Sequence, residues 1–120
     1  MKILLSSLFL GFAMMVHAHD EALLNVSVND PNFVIVLPAN PSTGYQWTVV
    51  YYDKSLLALI ASNFEKEKTD RIGTGGQMHF TFALRNVNYF PENTEIQFKY
   101  AQSWEPKSAT MKTIKVNFLK

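Results

Sequence analysis

The chain has 120 residues, no cysteine, 11 basic against 10 acidic side chains, and is 48% hydrophobic. Without a thiol it can form no disulfide, no cysteine nucleophile, no Cys-ligated zinc site and no thiol redox centre, and its near-neutral charge excludes electrostatic capture of nucleic acid or of an anionic membrane. This length supports one domain with one core.

Met1-Lys2 precedes an apolar run over residues 3–16, which closes on Val16-His17-Ala18, small residues of the kind a signal peptidase accepts. Residues 1–18 therefore read as a cleaved secretory signal, leaving residues 19–120 as the mature domain, exported to a periplasm or secreted. The run is too short for a convincing membrane span, and no second apolar stretch of spanning length follows, so no membrane association is expected after cleavage. Loss of Lys2 leaves equal numbers of acidic and basic side chains.

Strand signals begin at residues 24–28 and 33–37, both apolar. Between the second of these and the apolar run at residues 47–52 lies Asn40-Pro41-Ser42-Thr43-Gly44-Tyr45. Pro41 fixes its own φ and pushes Asn40 toward an extended conformation. Ser42 and Thr43 can hydrogen-bond nearby backbone, and Gly44 tolerates a positive φ. A turn of this composition can be stiff before any partner arrives.

Asp53 can cap a short helical turn over residues 53–56, despite strong helix formers through Ala61, because an isolated helix this short has no face to bury. A strand over residues 57–64 is expected next. Glu65, Glu67 and Asp70 alternate with Lys66, Lys68 and Arg71 as a solvated segment. Gly73-Thr74-Gly75-Gly76 then lets the backbone be approached closely, but no Gly-Lys-Ser/Thr and no helix start follow, so it is not a phosphate loop. Alone it reads as a hairpin connection.

Period-two alternation is clearest in the second half of the chain. Met78, Phe80, Phe82 and Leu84 oppose His79, Thr81, Ala83 and Arg85. Ile96, Phe98 and Tyr100 oppose Gln97, Lys99 and Ala101. Ile114, Val116 and Phe118 oppose Lys115 and Asn117. Each is a half-buried strand, and about seven strands in all predict an all-β, antiparallel β-sandwich of two packed sheets. Trp47, inside an apolar strand, is expected in the core. Residues 101–107 read as a loop carrying Gln102, Ser103, Trp104 and Glu105; its indole either caps the core edge or stands exposed as a binding anchor.

Taken in order, these features resemble the chagasin-type inhibitors of papain-like cysteine proteases. The resemblance covers the whole mature domain: an Asn-Pro-x-Thr-Gly-Tyr loop followed by a strand Trp at residues 40–47, an Asp-x-x-Leu-Leu stretch resembled by residues 53–57, a Gly-x-Gly-Gly loop at 73–76, and a final Trp loop. The family's usual Arg-Pro-Trp in that last loop is replaced here by Gln102-Ser103-Trp104, which loses the cation and the proline. The resemblance implies an immunoglobulin-like sandwich that is not an enzyme and that reversibly occludes a protease cleft with three loops, residues 40–45, 73–76 and 102–105. It also implies that Thr43 sits nearest the protease's Cys and His, that Gly73, Gly75 and Gly76 offer backbone along the cleft, and that Trp104 is the apolar anchor. The partner would be a papain-like cysteine protease, with the free inhibitor a monomer and no cofactor needed.

Two readings of other classes compete. His19, if exposed as an N-terminus, could chelate copper, but His79 is the only other histidine of residues 19–120 and lies on a strand face expected to be solvated, so no metal site is expected. A non-inhibitory adhesion or carbohydrate-binding sandwich is the stronger rival, since fold does not fix function; such a module has no need of the sequence at 40–45.

Overall fold

The computed structural model describes residues 19–67 and 75–120. The segment read as an export signal lies outside the described residues, as do Lys68, Asp70, Arg71, Gly73 and Thr74. Among the described residues seven strands follow in order: β1 (His19–Ser27), β2 (Asn32–Ala39), β3 (Tyr45–Tyr51), β4 (Leu57–Lys66), β5 (Gly76–Leu84), β6 (Asn93–Gln102) and β7 (Glu105–Leu119). They form a four-stranded sheet in the order β1-β7-β6-β3 and a three-stranded sheet in the order β2-β5-β4. The expected all-β sandwich is what the chain adopts. All pairings are antiparallel except β1 with β7, which run parallel from His19↔Met111 to Ser27↔Leu119.

The alternation seen in the sequence places the core. Leu37, Leu57 and Phe82 from one sheet, and Ile96, Phe98 and Val116 from the other, are fully enclosed. Phe80 meets Phe98 across the gap at 5.1 Å between ring centroids. Phe82 is sandwiched by Phe33, stacked at 5.6 Å, and Tyr52, edge-on at 5.3 Å. Aromatic burial of this kind is the chief stabilising term in a sandwich without disulfides.

The turn before β4 forms where Asp53 was expected to cap it. The backbone N–H groups of Leu56 and Leu57 donate to Asp53 O at 3.1 and 3.0 Å. Ser55 donates to the Asp53 carboxylate twice, from Oγ at 2.5 Å and from its backbone N–H at 2.9 Å. Arg85 Nε ties the turn to the end of β5 by donating to Lys54 O at 2.6 Å.

Three sequence expectations are corrected. Glu65 and Lys66, read as the start of a solvated segment, continue β4, where they pair with Gln77 and Gly76. Glu105, Pro106 and Lys107, read as loop, belong to β7. His79 does face outward, beside exposed Val36 and Asn63, but its side chain is only 24% exposed, with Nε2 3.2 Å from Glu65 Oε1, an approach not aligned as a hydrogen bond. Extension of β4 past Phe64 is what brings Glu65 beside it.

Phe82→Ala is expected to destabilise the fold by about 3–5 kcal/mol in chemical denaturation, because it empties a site with no solvent access, whereas Val50→Ala, on an exposed edge, should stay within about 0.5 kcal/mol. The Ser55 hydroxyl and then its backbone N–H hold the Asp53 pKa below its ordinary value. A depressed folded pKa means that the turn's contribution is present above the unfolded carboxylate value and is lost as pH falls through the folded one. Ser55→Ala should raise the Asp53 pKa in an NMR titration; an unmoved pKa would contradict the assignment.

Candidate functional site

The chain leaves β2 and enters β3, in the other sheet, through a single 3₁₀ turn over Pro41–Thr43. Asn40 caps it: Oδ1 accepts from the Ser42 backbone N–H at 3.2 Å and from the Ser42 hydroxyl at 2.6 Å. Asn40 O accepts from the Thr43 backbone N–H at 3.1 Å and from Thr43 Oγ1 at 2.7 Å. Gly44 N donates to Pro41 O at 2.9 Å and closes the turn, with φ 83° at Gly44 in the left-handed region. Pro41 at the first position lacks the N–H that such a turn could not satisfy. Nearly every polar group of this bend is used internally, so it is stiff by construction, as its composition predicted.

Below the bend its two stems are joined. Trp47 Nε1 donates to Pro38 O at 2.9 Å, linking β3 to β2. Asn40 N donates to Tyr100 Oη at 3.4 Å. Tyr100 stacks on Tyr45 at 5.0 Å and on Trp47 at 4.6 Å. Trp47 is partly buried against the core rather than enclosed by it, and its polar edge serves the loop. Ala39, Pro41, Tyr45, Trp47, Phe64 and Met78 border a mostly apolar crevice of about 230 Å³ beside the bend.

The β6–β7 hairpin stands next to this bend. Gln102 pairs with Glu105, so Ser103 and Trp104 form a two-residue turn. Tyr100 pairs with Thr110, so β7 carries surplus residues at this end. Ser108 stitches them in: its Oγ accepts from Gln102 N at 3.0 Å and donates to Glu105 O at 2.7 Å. Trp104 is 68% exposed and does not cap the core. Its ring lies against Gly44, where any Cβ would overlap it. Gln102 Nε2 donates to Thr43 O at 3.1 Å; an acceptor there fixes which end of the amide faces it.

Gly75 and Gly76 reach the same place from the other sheet. Gly75 lies so close to the end of β2 that a Cβ would come within 2.6 Å of Ala39 O and 3.3 Å of Asn40 Cβ. Gly75 O accepts from Glu67 N at 3.1 Å, and Gly76 begins β5. Of the residues singled out from the sequence, Asn40 to Tyr45, Gly75, Gly76 and Gln102 to Glu105 are gathered at one end of the sandwich. Trp47, singled out from the sequence as a core residue and as the strand Trp after the loop, supports the bend from beneath, as do Tyr100 and Ser108, which sequence reasoning missed. Tyr100 showed only as an aromatic strand residue, and Ser108 gave no signal. A larger crevice, about 510 Å³, lies at the opposite end along residues 28–31 and 84–90.

Comparison with known proteins agrees with this geometry. Among solved structures, the cysteine protease inhibitor EhICP2 from Entamoeba histolytica matches with a TM-score of 0.65 and 26% identity, over 83% of this chain and 88% of that one. The solution structure of amebosin matches with a TM-score of 0.57 and 21% identity, over 88% of this chain and 100% of that one, a likeness of fold. A search of curated proteins found no match. The profile of the chagasin family peptidase inhibitor I42 matches residues 25–118, nearly the whole sandwich, and the chain belongs to that family of inhibitors.

Proposed function

We propose that the protein is a reversible, tight-binding inhibitor of papain-like cysteine proteases that fills the active-site cleft with residues 40–45, 73–76 and 102–105. One observation carries this reading: the bend at 40–44 satisfies its hydrogen bonds internally and meets Trp104 and Gly75 at a single end of the domain. A protease cleft loses affinity for a loop that must be ordered on binding, and this one is ordered already. Trp104 offers a large exposed indole, the side chain most often found to anchor an interface. Gly75, having no side chain, packs against the end of β2, and the glycine loop that it closes would offer main-chain hydrogen bonds along the cleft wall, in the manner of strand addition. An adhesion module would have no use for a bend closed in this way. Export of residues 19–120 after removal of 1–18 would place the inhibitor where secreted or periplasmic proteases act.

The purified protein should inhibit papain reversibly while remaining uncut; full protease activity with the protein in large excess would refute the proposal. Trp104→Ala should weaken inhibition by about 1–3 kcal/mol with the fold intact. Gly44→Ala should weaken it at least about tenfold, or about 1.4 kcal/mol, because alanine resists the positive φ and its Cβ displaces the Trp104 ring. An unchanged inhibition constant for both variants would remove this end of the molecule from the interface.

A further inference from the structure

A loop that fills a cysteine protease's cleft must avoid being cut there. Cleavage of the Thr43–Gly44 bond would require the protease thiolate to add to the Thr43 carbonyl carbon while the carbonyl electron pair moves onto oxygen. The carbon–nitrogen bond would then break, with the Gly44 nitrogen leaving as an amine after taking a proton from the protease histidine. That oxygen has to enter the protease's own hydrogen-bond donors as charge develops on it.

In this protein the Thr43 oxygen is already engaged. Gln102 Nε2 donates to it at 3.1 Å, from a strand rather than from the loop itself. Gln102 is held in turn: its backbone N–H donates to Ser108 Oγ, and it pairs with Tyr45 on β3 and with Glu105 on β7. On the other side of the same peptide, the Trp104 ring covers Gly44. The Thr43–Gly44 peptide is therefore gripped by two positions of one hairpin, Gln102 and Trp104, while Pro41, Ser42 and Thr43 themselves stay exposed.

We propose that Gln102 is a positioning residue whose amide, bonded to the Thr43 carbonyl, keeps the Thr43–Gly44 bond out of attack geometry and so makes the protein an inhibitor rather than a slow substrate. The proposal rests on the inhibitor reading above. It gives the glutamine a task that needs a hydrogen-bond donor of this length and no positive charge.

The test uses the purified protein and two near-isosteric variants, Gln102→Met, which lacks the donor, and Gln102→Glu, which carries a donor only when protonated. Three quantities are measured: inhibition of papain, appearance of the product cut after Thr43 by mass spectrometry, and hydrogen exchange of the Thr43 and Gly44 amides in the free protein. At neutral pH both variants should exchange those two amides about tenfold faster than the parent and be cut after Thr43 at least about tenfold faster. The Gln102→Glu excess over the parent at the same pH should shrink as pH falls through the glutamate range near about 4.3, because the protonated carboxyl can again donate; Gln102→Met should show no such recovery. A merely structural glutamine would give no pH-dependent rescue. Variants that resist cleavage and exchange as slowly as the parent would overturn the proposal. If the parent itself inhibits no papain-like protease, the inhibitor reading fails, and parental exchange rates in both variants would still overturn the grip on Thr43.

Discussion

Gly44 stands in a left-handed conformation with an indole pressed against it, and the geometry of the whole loop end follows from that contact. A side chain at this position would have to push Trp104 away, and without the positive φ the chain could not return from the 3₁₀ turn into β3. The turn, the hairpin and the crossing between sheets are thus solutions to one steric problem. The Trp47 indole and the Tyr100 hydroxyl fix the stems on which that solution is built.

The energetic consequence concerns what association must still order. The capping bonds of Asn40, the closure from Gly44 to Pro41 and the bond from Gln102 fix the backbone of residues 40–44 in the free protein. Freezing a flexible backbone residue opposes binding by about 1–2 kcal/mol, so a five-residue loop left loose would forfeit much of what its contacts supply. Trp104 serves both ends of this arrangement, since the ring that stays exposed to a partner is the same ring that covers Gly44. Affinity and loop conformation are therefore coupled through one side chain, and substitutions at 44 and 104 should not be additive.

Much of the fold was legible. Period-two alternation at residues 78–84, 96–100 and 114–118 located three strands and the inward faces of each, and Asp53 marked the turn before β4. The bend at 40–44 could be read from proline, small polar residues and glycine, because most of its hydrogen bonds are local. What escaped was set by partners distant in sequence. Gln102 and Glu105 looked like loop because they are polar, yet they pair, and the surplus residues of β7 are absorbed by a serine with no sequence signature. His79 was read as solvated because alternation places it outward, while its cover, Glu65, comes from a neighbouring strand that runs farther than its composition suggested. Parallel pairing of β1 with β7 likewise depends on two ends of the chain that no local pattern connects. The contact of Trp104 with Gly44 was expected only as co-location of loops, and the structure replaces co-location with direct packing.

The most direct test of occlusion by this end of the molecule is an NMR titration of the isotopically labelled protein with papain whose catalytic thiol has been replaced by a hydroxyl. The account predicts that amide perturbations concentrate at residues 40–45, 75–76 and 102–105. Perturbations confined to residues 28–31 and 84–90 at the far end, with the bend and the indole unmoved, would contradict it.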